Sequence, residues 1–264
     1  MSLPPVFYHH FVSPLPYART LRLQQALYAL QYSKRSASSP YREVLFLLEH
    51  RPVYTGGRRQ SDGELASERL RLTKLGADFM LAERGGQLTY HGPGQLVGYP
   101  LLDLGRVQPA VTIREYICKL QNALTSHLRE AHGLDSVQSE NTGVFLDAST
   151  KIASIGVQVR HRLTSHGFSL NITNEPRAWF DEVVACGLPD VHAGSIESAT
   201  GRPASVAAEV PGVVSQLKKA LERDMVPLDM TESNELVWLV QEMEADAERF
   251  AAEVGPCYIA PGHR

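Results

Sequence analysis

Cysteine is scarce: three residues in 264, Cys118, Cys186 and Cys257, too few and too scattered for a disulfide framework or a zinc-finger pattern. A reducing compartment is therefore expected. No window approaches 18 uninterrupted apolar residues, which excludes a transmembrane helix. Neither sign of charge dominates, since 26 Lys and Arg against 29 Asp and Glu leave a net charge of −3. That balance gives no electrostatic case for nucleic acid or an anionic membrane surface. The opening MSLPPVFYHHFVSPLPYART lacks the basic and apolar regions of a secretory signal, so any leader is expected to be absent or already removed. Internal repeats are missing too, and no composition break forces a domain boundary.

What is present is a chain long enough for one large core, with strand and helix periodicities interleaved. Tyr17 to Tyr32 reads as an amphipathic helix with Leu23, Leu27 and Leu30 on one face, and the Ser-rich Ser33 to Pro40 as a loop. Glu43 to Glu49 is a continuous apolar run, the pattern of a buried strand, and leads into a glycine-bearing turn through Arg59. Short strands are predicted over Asp78 to Ala82, Leu88 to Tyr90 and Leu96 to Leu102. A helix follows, capped by Thr112 and Glu115 and carrying Ile113, Ile117, Leu120, Leu124 and Leu128. Cys118 on that helix is expected to be a core or near-core thiol. Thr142 to Leu146, Lys151 to Arg160 and Gly167 to Ile172 read as strands, Pro211 to Arg223 and Ser233 to Val254 as helices with Phe250 on the apolar face of the second. Strands running consecutively after a central helix indicate a mixed sheet packed on helices, an α/β (α+β) class, not a regular βαβ succession.

The most conspicuous stretch is Glu83 to Pro100, ERGGQLTYHGPGQLVGYP. Gly-Gly and His-Gly-Pro-Gly occur where backbone turns tightly or approaches a ligand closely. Cys186 sits before Gly187 outside any periodic element, where a turn could expose it. It would become a nucleophile if a cation favoured its thiolate, with Lys151, His91 and His166 as the candidates. Lys151 opens a strand whose small Ser154 and Gly156 leave room for a ligand. A metal site from His161, His166 and His192 fits no recognised ligand spacing.

RGGQLTYHGPGQLVGYP, KIASIGVQVRHRLTSHGFSLNI, ACGL and EHRPVYTGGRR, in register from about Tyr17 to Leu221, resemble the lipoyl(octanoyl) transferases. The resemblance implies the biotin/lipoate protein ligase fold, a mixed sheet flanked by helices. It implies a catalytic domain over residues 1–225, with 226–264 as a C-terminal helical extension packed on it. It further implies transfer of octanoyl or lipoyl from the thioester of acyl carrier protein to a lysine of lipoyl domains, those of 2-oxoacid dehydrogenase complexes and of the glycine cleavage H protein. Cys186 would accept the acyl group and Lys151 would activate it. Substrate contacts would fall on Arg84, Gly85, Gly86, Gln87, Leu88, Thr89, Tyr90 and His91, on Ser154, Ile155 and Gly156, and on Gly167, Phe168 and Ser169. No cofactor and no metal is implied, and His91 becomes a wall of the acyl pocket. Two departures stand out: Ala185 replaces the family's usual proline before the nucleophile, and the chain beyond about Val226 is longer than the family pattern. The rival readings are an ATP-dependent lipoate or biotin ligase of the same fold, a non-catalytic lipoyl-domain binder, and a thiol hydrolase releasing octanoate. Eukaryotic members of this family are mitochondrial and bacterial ones cytoplasmic; the extension and the Ser33–Pro40 loop tilt the expectation toward mitochondria.

Overall fold

The structure is a computed structural model and describes residues 3–107 and 109–254; Cys257 lies outside the described residues, as does the side chain of Phe250. In chain order the first half comprises β1 (Val6–His10), α1 (Tyr17–Ser36), β2 (Glu43–Leu48), β3 (Val53–Gly56), α2 (Ala66–Lys74), β4 (Asp78–Leu81), β5 (Thr89–His91) and β6 (Gln95–Leu101). The second half comprises α3 (Ile113–His132), β7 (Val144–Phe145), β8 (Thr150–Arg160), β9 (Leu163–Asn171), α4 (Glu175–Phe180) and β10 (His192–Ala193). It closes with α5 (Ile196–Thr200), α6 (Val206–Leu221), β11 (Met225–Pro227) and α7 (Glu235–Val254).

The main sheet is mixed, ordered β10-β8-β9-β6-β2-β1-β11 with β7 also on β8; β4-β3-β5 form a second, smaller sheet. Side chains alternate across a strand, so the all-buried β2 serves two cores at once. Leu45 and Leu47 point with Leu96 and Leu170 toward α3 and α6, meeting Tyr116, Leu120, Leu124, Val213 and Leu217. Val44, Phe46 and Leu48 point the other way, with Val97, Tyr99 and Leu101, into α1 and α7 through Leu23, Leu27, Leu236, Val240 and Met243. The result is helix, sheet, helix, as an α/β sandwich requires.

Several boundaries differ from the sequence expectation. The helix α1 runs on to Ser36 through residues expected to be a loop, because Lys34 and Arg35 are good helix formers at its basic C-terminal end. At α6 the helix begins at Val206, with the Ser205 hydroxyl capping Ala208, and absorbs Pro211 instead of starting there. Cys118 is exposed, a correction to the expected core thiol: the buried face of α3 passes through Tyr116, Leu120 and Ala123 and misses it. The line expected between residues 225 and 226 falls inside β11, which pairs in parallel with β1.

Candidate active site

Two glycine turns clasp one another at the junction of the sheets. The Arg58 amide donates to the Arg84 carbonyl at 3.2 Å, and a Cβ on Gly57 would sit 2.3 Å from the Gly86 oxygen, so no side chain fits there. The Arg84 side chain is buried between them and spends its donors on the protein. Nε and Nη2 reach the Thr55 hydroxyl at 3.2 and 2.7 Å, and Nη1 reaches the carbonyls of Gly85 and Gln87 at 3.1 and 2.9 Å. Among the described residues Arg84 enters no ion pair, so its positive charge acts outward on its surroundings, Tyr17, Cys186 and Tyr99 among them.

Strand alternation then sorts the residues that follow. Thr89 and His91 line a cavity of about 260 Å³, together with Arg84, Gly85 and Gly86. Leu88 and Tyr90 turn to the opposite side; Tyr90 stacks on Trp179, ring centroids 5.3 Å apart and 8° from parallel. Gln87 lies beneath the cysteine turn, its Oε1 only 1.9 Å from where a Cβ on Gly187 would be. The contiguous run Arg84 to His91 therefore divides into the wall of this cavity, packing, and Leu88, which lines a neighbouring outer cavity.

Two imidazoles, His91 and His166, feel the arginine's charge, and a third, His50, lies beside His91 with ring centroids 5.8 Å apart. His50 donates from Nδ1 to the Leu15 carbonyl at 3.0 Å and accepts from the Tyr99 hydroxyl at 2.6 Å, which fixes its neutral tautomer. Burial lowers its pKa to about 4. His166 is lowered to about 4 by burial and by the Arg84 charge, while burial, then His50 and Arg84, holds His91 well below the ordinary range. His91 and His166 are thus neutral at pH 7 and are removed as cations for Cys186. Arg84 and Lys151 remain.

Cys186 occupies a single 3-10 turn, Ala185–Gly187, in left-handed backbone at φ 58°, a conformation that costs about 1–2 kcal/mol for a non-glycine residue. Its amide donates to the Leu88 carbonyl at 2.8 Å. Lys151 starts from the pairing of β8 with β10 and is 9% exposed; its Nζ lies 5.4 Å from the centre of the Phe145 ring. Gly143 makes this course possible, since a Cβ there would stand 2.5 Å from the lysine Cε. Lys151, Ser154, Cys186 and Leu188 line both the inner cavity and an outer one of about 750 Å³. Ile155, Gly156, Gly167, Phe168 and Ser169 line the inner cavity only.

Sequence reading missed several wall residues. Tyr17, 2% exposed at the start of α1, lines the inner cavity with an unpartnered hydroxyl oxygen, as does Thr89, which was expected there. Burial raises the Tyr17 pKa to about 12, so the phenol stays protonated and able to donate. Ile113 and Ile117, assigned to the helix core by their period, line the cavity mouth, and so does Arg59 from the loop after β3. His161, His166 and His192 are scattered: His161 bonds the Tyr28 hydroxyl at 2.8 Å, His166 lines the inner cavity and His192 the outer.

Residues 16–221 match the lipoyl protein ligase A/B catalytic domain. An octanoyltransferase of Leifsonia xyli is 36% identical over 221 residues, 81% of this chain and 91% of that protein. The mitochondrial octanoyl-acyl-carrier-protein:protein N-octanoyltransferase of Danio rerio is 40% identical over 174 residues, covering 66% and 74%. Among solved structures, lipoate-protein ligase A bound with ATP superposes with a TM-score of 0.62 at 14% identity, over 96% of this chain and 95% of the other. A bipartite lipoate protein ligase of Thermoplasma acidophilum gives 0.60 at 15%, over 96% and 93%. These last two share the fold, and it is the sequence relatives that place the function: the chain belongs to the lipoyl protein ligase A/B catalytic-domain family, among its octanoyltransferases, and is an acyltransferase.

Proposed function

We propose that this enzyme transfers an octanoyl group from the thioester of acyl carrier protein to the ε-amine of a lysine on a lipoyl domain, through an acyl-enzyme on Cys186. The observation that carries the reading is the shared wall: Lys151 and Cys186, from separate elements, each line both the inner and the outer cavity. A ping-pong transfer needs such a junction, one chamber for the retained acyl chain and one through which donor and acceptor exchange.

In the first half-reaction the Cys186 thiol passes its proton to Lys151 and Sγ attacks the thioester carbonyl. The carbon–sulfur bond to the carrier breaks, and the departing thiolate takes a proton back from Lys151. In the second, the acceptor amine attacks the Cys186 thioester, the new amide forms and the Cys186 carbon–sulfur bond breaks. Lys151 accepts the amine proton and returns one to Sγ. One thioester bond is exchanged for another before the amide forms, so no ATP is consumed. The Arg84 charge favours the thiolate and the developing oxyanion through space, its N–H groups being engaged elsewhere. Arg84, Gly85, Gly86, Thr89, His91, Ile155, Gly156, Gly167, Phe168 and Ser169 wall the acyl chamber in this reading. Gln87 and Tyr90 support it from behind, and Leu88 lines the outer chamber. The outer chamber carries Glu64, Glu68, Asp181 and Glu182 against Arg71, which pairs with Glu68 and Glu182; that balance suits an incoming cationic lysine. The relatives divide between bacterial proteins and mitochondrial animal ones, which supports a mitochondrial or bacterial cytoplasmic setting.

The test is intact-mass analysis after incubation with octanoyl-carrier protein and no nucleotide. One octanoyl adduct on Cys186, absent in Cys186→Ser and discharged by added lipoyl domain, is expected. An unmodified wild-type protein, or a requirement for ATP, would sink the mechanism.

A further inference from the structure

Away from the cavities, the C-terminal half of α3 meets the N-terminal half of α6 at three side chains the chemistry above does not use. His127 and His132 both place Nε2 against the same carboxylate oxygen of Glu209, at 2.7 and 2.9 Å. The three donor atoms all lie within 4.8 Å of one another. His127 and Glu209 are buried, and His132 is partly open to solvent. Among the described residues no lysine or arginine pairs with Glu209, so its charge faces only imidazoles. The helices are locked close at this point: a Cβ on Gly212 of α6 would lie 2.6 Å from Cε1 of His127.

We infer that His127, His132 and Glu209 form a binding site for a divalent transition ion of the zinc type, tying α3 to α6. Two imidazoles and one carboxylate are a donor set suited to Zn²⁺ and Co²⁺. Bonds of about 2.0–2.2 Å imply donor separations of about 3.3 Å in a tetrahedron, so the three groups adjust by on the order of 1 Å or less. The partly open side at His132 admits the ion and a water as fourth ligand. On binding, each imidazole presents its Nε2 lone pair with its ring proton on Nδ1, and the carboxylate binds as the anion. The ion replaces two hydrogen bonds with three coordination bonds. The site is structural, since His127 stands roughly ten residues, or about 15 Å, along α3 from the cavity residue Ile117.

The probe is Co²⁺ added to the tag-free, chelator-treated full chain, with Zn²⁺ as competitor. One Co²⁺ per chain is expected, with the visible absorption of a tetrahedral nitrogen and oxygen site, displaced by Zn²⁺ and accompanied by a rise in thermal midpoint. Glu209→Gln, which keeps shape and hydrogen bonding, and His132→Ala, at the open side, should each weaken binding by about 100-fold or more and abolish the rise. Acylation of Cys186 should proceed alike with and without the ion. Failure to bind, equal binding by both variants, or a thiolate-to-metal charge-transfer band pointing to Cys118 or Cys257 would each overturn the site. None of these outcomes bears on the acyl-transfer reading.

Discussion

The amide of Cys186 donates to the carbonyl of Leu88 at 2.8 Å, so the turn bearing the proposed nucleophile hangs from the glycine-rich stretch. Residue 186 is in left-handed backbone, and Gly187 follows at φ 69° with Gln87 packed where its side chain would be. Gly187→Ala should push the turn off Gln87 and move Sγ by a fraction of an ångström to one ångström. A displacement of that size costs up to about 100-fold in rate. Single-turnover acylation should slow by about 10- to 100-fold, with the circular dichroism spectrum unchanged. An unaltered acylation rate would show that the turn does not aim the thiol.

Two glycines of the chamber should answer differently to a side chain. A Cβ on Gly85 meets nothing closer than the Val157 carbonyl at 3.6 Å, whereas one on Gly167 would stand 2.1 Å from the Gly98 carbonyl. Gly85→Val therefore fills chamber space without breaking the fold; Gly167→Ala forces β9 off β6. Gly85→Val should keep its thermal midpoint within a few degrees and shift preference to shorter acyl chains by about 10-fold or more. Gly167→Ala should destabilise by about 2–4 kcal/mol, read by denaturant unfolding. Equal stability losses would refute the distinction.

The neutral imidazoles make stability depend on acid. His50 and His166 titrate at about 4 in the folded chain and near 6.5 unfolded, and His91 is displaced in the same direction. Between those values the unfolded chain binds protons that the folded chain refuses. Stability is therefore full above the unfolded value and falls as pH drops toward 4. Each histidine contributes up to about 1.4 kcal/mol per pH unit within that window. Denaturant titrations from pH 7 to 4.5 should show a slope of two to three protons. His50→Gln, which can still donate to Leu15 and accept from Tyr99, should lower that slope by about one proton.

Elements with a dominant period were legible from sequence. EVLFLL is buried on both faces and the Thr112 capping box starts α3 where expected. The five-residue β1, VFYHH, and α2, ASERLRLTK, were not anticipated: one is too short and polar to show alternation, and the other buries only Leu72. For the candidate site, a run of consecutive residues could not be divided until strand direction separated Thr89 and His91 from Leu88 and Tyr90. Nor could spacing reveal that Tyr17 and Tyr99, from distant elements, reach the same cavity, or that burial, with the Arg84 charge added, would keep His91 and His166 neutral. Such facts depend on tertiary packing, which local pattern does not encode.

The segment beyond Val226 supplies the last prediction. Leu236, Val237, Val240, Met243 and Ala247 of α7 are buried against Val44, Phe46, Leu48 and α1, and the His9 ring bonds Glu244 at 2.9 Å. Removing α7 would open to water the part of that sheet face which α1 does not cover, and apolar burial at about 25 cal/mol per Å² makes that loss far larger than any surface contact could offset. Truncation after Leu228 should give an insoluble or dye-binding chain. A gentler probe is Val240→Asp, which places a carboxylate at a fully buried, apolar position. The variant should lose at least about 3 kcal/mol, measured by denaturant unfolding. A nearby exposed control, Trp238→Ser, should lose almost nothing, because that side chain already faces solvent. If the truncated chain instead stays folded and accepts an octanoyl group at its native rate, α7 is an appendage and the face it covers is no part of the catalytic domain's core.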